Sequence, residues 1–192
     1  MEMIKLKTKE KDAAPNQPKK SFQAELFSWL RFFLILAVCY FLMINSIGLT
    51  RVVGHSMDPT MQDGSIVLLN KVPTHFTKPA FGDVVVIHEE AKGYEIIKRI
   101  IGLPGDTVKI EKGVVYVNNS PLPELYTQGV SDDMAPLTIL QDHMFVLGDN
   151  RTLGESMDSR DPSIGQIPIT DIKGYVSLSL FPFYRVAKPL EV

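Results

Sequence analysis

The sequence predicts a mostly β protein held on one apolar helix, and three observations predict it. The first is an uncharged run from Phe32 to Thr50, nineteen residues long, which as a helix extends about 28 Å, close to the hydrocarbon thickness of a bilayer. The second is that no long segment after Thr50 has helical periodicity. Short β-branched runs recur there instead, each bounded by Gly, Pro, Asn or Asp, as in an all-β domain. The third is charge: residues 1–50 carry seven Lys and Arg against four acids, and residues 51–192 carry thirteen against eighteen. Positive charge is in excess only at the N-terminal end.

Residues 1–24 read as a solvated, disordered basic tail, with Lys5, Lys7, Lys9, Lys11, Lys19 and Lys20 interspersed with Ala13, Ala14, Pro15 and Pro18. Residues 25–50 read as a single membrane anchor, whose uncharged run is bracketed by Arg31 and Arg51. The lysines before it keep the N-terminus cytoplasmic by the positive-inside bias, so that everything from Arg51 onward lies outside the cell membrane. A cleavable secretory signal has a shorter core and a small-x-small site, and Ile44-Asn45-Ser46-Ile47-Gly48 offers none. Cys39, the one cysteine, lies inside the run. It reads as a small hydrophobe, and no intrachain disulfide is available.

Residues 51–192 are long enough for one core without covalent staples. Strands are expected at Ile66–Leu69, Asp83–His88, Glu95–Ile101, Thr107–Ile110, Val114–Val117, Met144–Leu147 and Gly174–Leu180. The fourth and fifth form a hairpin through Glu111-Lys112-Gly113. Residues 107–143 make a smaller insertion, in which Pro121 to Asp142, poor in strand signal, reads as a mobile excursion. Lys and Arg are scattered over 51–192 rather than gathered in a stripe, which argues against a nucleic-acid partner.

Three blocks carry candidate chemistry. In Gly54-His55-Ser56-Met57-Asp58-Pro59-Thr60-Met61, Gly and Pro force a turn that exposes the Ser56 hydroxyl and frees backbone N–H groups for an oxyanion. In Glu95-Ile96-Ile97-Lys98-Arg99-Ile100-Ile101, strand alternation puts Lys98 on one face with Ile96 and Ile100, and Arg99 on the other with Ile97 and Ile101. A lysine so placed either snorkels to water or is desolvated, and desolvation lowers its pKa enough to make it a base. The third block is Gly148-Asp149-Asn150-Arg151 followed by Ser156-Met157-Asp158-Ser159-Arg160, dense in hydrogen-bonding side chains. Its two arginines argue against a hard-cation loop, and no cofactor or metal site is expected.

In this order after one membrane span, GHSMDPTM, FGDVVVI, IIKRIIGLPGD and GDNR with SMDSR resemble type I signal peptidases of the serine/lysine class, in their short Gram-positive-like form. The likeness covers about Val52 to Pro168 and the anchor. It implies a signal-peptidase-type β domain that removes leader peptides from exported preproteins after small residues at −1 and −3. It implies Ser56 as nucleophile, Lys98 as unprotonated base, Ser156 as the hydroxyl that orients the lysine, and Asp158–Arg160 and Asp149–Arg99 as supporting pairs. The Ser56 N–H is half of the implied oxyanion hole. Gly54 stands where some members carry a hydroxyl donor, which leaves the second half open. Thr152-Leu153-Gly154-Glu155 lengthens the spacing, so Ser159 stands beside Ser156 as a partner for the lysine. Val52, Met57, Met61, Val86, Ile96 and Ile97 are the implied pocket lining, with ordinary core packing as the alternative for each. The implied partners are preproteins, membrane lipid and the neighbouring secretion translocon.

Two rival readings are weighed against this. A Ser-His-Asp hydrolase would draw on His55, His75, His88 or His143, but Ser56 is not in a G-x-S-x-G elbow. A catalytically silent, membrane-anchored binding protein would keep the fold without needing both Ser56 and Lys98.

Overall fold

A computed structural model of the chain describes residues 22–89 and 93–186. The expected basic tail lies outside these up to residue 21. Helix α1 runs Phe22–Ser46, with its side chains exposed throughout apart from Ser46. At 25 residues it is about 37 Å long, more than a hydrocarbon core requires.

The helix ends four residues before Thr50. Ile47–Arg51 is a strand, β1, antiparallel to β2 (Ile66–Asn70), with Gly48 opposite Leu69 and Thr50 opposite Val67. The uncharged run thus contains two elements. Because β1 is also apolar and carries no charge before Arg51, composition alone merges it with the helix.

All seven expected strands form, each within two residues of its expected limits. A four-residue helix, α2, covers Pro73–Phe76. Next come β3 (Val84–Glu89), β4 (Tyr94–Gly102), β5 (Thr107–Glu111) and β6 (Val114–Val117). Then follow β7 (Ser120–Pro121), β8 (Met134–Thr138), β9 (His143–Leu147) and β10 (Ile167–Pro168). The last strands are β11 (Ile172–Phe181) and β12 (Phe183–Arg185).

Among the described residues the main sheet is ordered β1-β2-β11-β3-β4-β9-β10, with β12 on β11, and a second sheet is ordered β7-β6-β5-β8. Glu111 pairs with Val114, so the hairpin turn is the two residues Lys112 and Gly113. Both have positive φ, 52° and 77°, as a type I′ turn requires.

Pro121–Asp142 is an integral part of this fold. It contains β8, which pairs with the outer edge of β5. Pro136 lies within β8, and a proline is tolerated there because edge strands need not donate on their free side. That proline also weakened the strand signal.

The core falls into three clusters. Val52, Met57, Met61, Val67, Val84 and Val86 form one, with Ile97 against it. Val85, Ile87, Ile100 and Val146 lie in the second, with Ile96 against it. The third joins the sheets, packing Ile101, Phe145 and Leu147 against Val108, Ile110 and Val115. Alternation along β4 thus sends Ile96 and Ile100 to one cluster and Ile97 to another.

Candidate active site

The loop after β1 is fastened at both ends. Val52 N–H donates to Ser65 O at 2.8 Å and Gly64 N–H donates to Val52 O at 3.0 Å. Between them Met57 and Met61 are buried, 1% and 0% exposed, and burying such side chains contributes about 1.5–3 kcal/mol each. Met61 N–H donates to Met57 O at 2.9 Å, so the chain curls back and carries Met61 into the core. Ser56 is left half-exposed at the top of the turn.

A second clamp comes from the loop after β9. Asn150 N–H donates to Ser56 O at 3.0 Å, and its side-chain amide donates to His55 O at 3.1 Å. Gly148 lies against the same carbonyl. A Cβ at this position would collide with Ser56 O and with the Ser156 hydroxyl, so any larger residue would push the two loops apart.

Lys98, near the middle of β4, is 3% exposed, and its Nζ is 2.6 Å from Ser56 Oγ. Burial lowers its pKa from 10.5 to about 8, because an ammonium loses its hydration there. The Asp158 carboxylate pulls the value up, the Arg160 guanidinium pushes it down, and Asp149 raises it.

The neighbouring Arg99 is 0% exposed. It makes a bidentate pair with Asp149, Nε to Oδ1 at 2.9 Å and Nη2 to Oδ2 at 2.7 Å. Its Nη1 donates to Gly82 O at 3.0 Å, and the Tyr126 ring lies 4.4 Å from its guanidinium carbon. Partners on several sides are what a fully buried guanidinium needs.

Asp158 is the hub of the second network. Its Oδ2 accepts from Ser156 Oγ at 2.7 Å, Gly148 N–H at 3.0 Å and Arg160 Nη2 at 2.8 Å, and its Oδ1 accepts from Arg160 Nε at 2.8 Å. Burial alone would raise this carboxyl. The Arg160 bonds and charge, with the Gly148 and Ser156 donors, outweigh burial and hold it below its ordinary value.

Among the described residues no hydrogen bond joins Ser156 to Lys98; the Ser156 hydroxyl donates to Asp158 instead, and Lys98 feels that carboxylate only through its charge. Ser159 is committed elsewhere, accepting from Val146 N–H at 3.0 Å. Gly54 is committed too. Its N–H donates to Asp63 Oδ1 at 2.9 Å, which removes it as an oxyanion donor. The Ser56 N–H has no partner among the described residues.

A cleft of about 480 Å³ opens beside the serine, lined by Thr50–Val53, Ser56, Met57, Val86 and Tyr94–Lys98. Five of the six expected pocket residues, Val52, Met57, Val86, Ile96 and Ile97, line it. Met61 does not, being sealed beneath the loop. No histidine bonds to Ser56 among the described residues; His55 pairs through Nδ1 with Asp58 at 3.0 Å, and His143 bonds Gln141 O.

Several contributors carried no sequence signal. Gly148 and Asn150 sit in a box that stands out, but their contacts with the serine loop depend on tertiary approach. Glu124 forms a bidentate pair with Arg151, one contact at 2.7 Å. Gln128 bridges Asn150, and Arg151 N–H donates to Gln128 O at 2.7 Å. Glu124, Tyr126 and Gln128 all lie in the segment expected to be mobile.

The family model for signal peptidase, peptidase S26, matches residues 26–181. A signal peptidase I P of Bacillus subtilis subsp. natto is 30% identical over 178 residues, 86% of this chain and 94% of its own length. The signal peptidase I of Bacillus licheniformis is 34% identical over 176 residues, 85% of this chain and 92% of its own. A crystal structure of a signal peptidase I from Enterococcus faecalis V583 aligns with a TM-score of 0.45 at 29% identity, over 52% of this chain and 97% of that one. The protein is therefore a serine peptidase, a hydrolase. The chain belongs to the signal peptidase family, peptidase S26, and is of the short Gram-positive-like type I form.

Proposed function

We propose that this chain is a membrane-anchored endopeptidase that removes N-terminal signal peptides from exported preproteins, with Ser56 as nucleophile and Lys98 as general base. The observation that carries the reading is the 2.6 Å approach of Lys98 Nζ to Ser56 Oγ by an amine that is 3% exposed. That distance suits direct proton transfer, and the lowered pKa supplies neutral amine near neutral pH.

In the first step neutral Lys98 takes the Ser56 proton as Oγ attacks the scissile carbonyl. The oxyanion of the tetrahedral intermediate accepts from the Ser56 N–H. The carbon–nitrogen bond then breaks, the lysine ammonium protonates the leaving amine, and an acyl-serine remains. Neutral again, Lys98 activates water, which releases the signal peptide and regenerates the hydroxyl.

Among the described residues, Tyr94–Lys98 uses one backbone edge for β3 and leaves the other without a partner strand, so an extended substrate can join it there. The apolar lining from Val52, Met57, Val86, Ile96 and Ile97 suits small side chains at −1 and −3. Helix α1 serves as the single membrane span. The lysines before it hold the N-terminus in the cytoplasm and put the peptidase where preproteins leave the translocon.

Ser56→Ala and Lys98→Ala each remove processing of a leader-bearing precursor in liposomes, by about 10⁴-fold or more, while circular dichroism and the unfolding midpoint report an intact fold. Lys98→Arg also fails, because a guanidinium stays protonated. Substantial cleavage by any of these variants overturns the assignment.

A further inference from the structure

A second cavity, of about 440 Å³, opens where helix α1 ends. Asn45 from the last turn of the helix lines it, together with Lys71, His75, Lys173 and Glu95. Lys71 is tied to the helix terminus, because its N–H donates to Ser46 O at 2.8 Å. Its side chain lies over Gly48, where an added Cβ would come within 3.1 Å of Lys71 Cε.

The charge is unusual for this part of the chain. Residues 51–192 carry more acids than bases, yet this cavity holds two ammonium groups and one carboxylate, Glu95. Neither Lys71 nor Lys173 forms an ion pair with a described residue. His75 and Asn45 add polar groups able to donate hydrogen bonds. Leu49, in the middle of β1, also lines the cavity, and Phe76 follows His75 on α2; they are 65% and 82% exposed.

We propose that this cavity binds the phosphodiester headgroup of an anionic membrane phospholipid, an inference that rests on α1 being the membrane anchor. If the apolar helix fills the hydrocarbon, the residues bonded to its last turn fall in the polar headgroup layer, about 5–7 Å deep on each face. An anion held there sits in a cavity that Lys71 and Lys173 both line, while the exposed Leu49 and Phe76 offer apolar surface to the acyl boundary. A soluble phosphate ester would use the same cations but leave Leu49 and Phe76 without a role, and for that reason the lipid is the chosen occupant.

The test uses the full chain in neutral-detergent micelles containing equal phosphatidylglycerol and phosphatidylcholine, with lipid retained on the protein counted by native mass spectrometry. Phosphatidylglycerol is retained at least about tenfold over phosphatidylcholine. Lys71→Gln with Lys173→Gln lowers its retention by about 30-fold, the loss expected for two cations at an anionic surface. Lys71→Arg with Lys173→Arg preserves retention, Glu95→Gln increases it, and the unfolding midpoint shows that each variant is folded.

Equal retention of the two lipids, or undiminished preference in the double glutamine variant, overturns the site. Displacement of the lipid by equimolar glycerol phosphate overturns the choice of lipid as occupant. The Ser56→Ala chain retains phosphatidylglycerol like the wild type. In the unsubstituted chain, absent lipid preference with intact precursor cleavage therefore refutes the headgroup site alone, and lipid preference without cleavage refutes the peptidase reading alone.

Discussion

Lys98 and Ser56 are 42 positions apart in sequence, and each has an ordinary alternative environment: a snorkelling lysine at a strand edge and a serine in a surface turn. At 3% exposure Lys98 has lost the first of these. The consequence for pH follows from the sign of the shift. With a pKa of about 8, only about one-tenth of the amine is neutral at pH 7. On the proposed mechanism activity is carried by the neutral form, so kcat/KM rises about tenfold per pH unit well below pH 8, about fivefold from pH 7 to pH 8, and levels above that. A steady-state pH series on a leader peptide measures this, and a flat profile down to about pH 5 excludes a lysine base. At this scale the sequence singled out both members of the pair that the fold brings to 2.6 Å, because Ser56 and Lys98 stand in blocks with unusual neighbours. Its silence about Ser156 was physical: Asp158 lies within hydrogen-bonding reach of both the hydroxyl and the Arg160 fork, and only coordinates show that it captures Ser156.

Strand β4 carries two adjacent cations to opposite fates. Among the described residues Lys98 is desolvated with no carboxylate ion-paired to it, whereas Arg99 is buried in a bidentate pair with Asp149 from the loop after β9. A charge left behind in that site has no water to turn to. Arg99→Met or Asp149→Leu alone therefore destabilises the protein by about 3–5 kcal/mol, and the double substitution restores much of the loss. Denaturant unfolding of the four proteins in a double-mutant cycle measures the coupling, and additive losses would refute it. Among elements, the seven strands with clean β-branched patterns were legible to within two residues. Strand β1 was hidden by its apolar likeness to the helix before it, and β8 by Pro136. Misreading the segment that holds β8 also concealed Glu124, Tyr126 and Gln128, which fasten the Asp149–Arg151 loop from above.

Over the whole molecule, the strands leading to Ser56 and the strand carrying Lys98 are not neighbours in the sheet. The β1–β2 pair and the β3–β4 pair are joined through β11, which lies between β2 and β3. Gly174 permits that junction, since a Cβ there would lie 2.6 Å from Leu69 Cγ and 2.7 Å from Leu69 Cδ1. Gly174→Leu overpacks the seam by about 1–3 kcal/mol or more, and it lowers both the unfolding midpoint and leader cleavage. A variant with undiminished activity and stability would show that the seam is not needed. Nothing local in the sequence announces this order, because a strand's place in a sheet is settled by which edges remain unpaired when it arrives. Strand β11 (Ile172–Phe181) follows both Ser56 and Lys98 in the chain, yet it is the strand that joins their two halves of the sheet. The proposed nucleophile and base therefore come within reach only once a strand made after both of them is seated, and damage to that seam can silence the site while leaving each reacting group untouched.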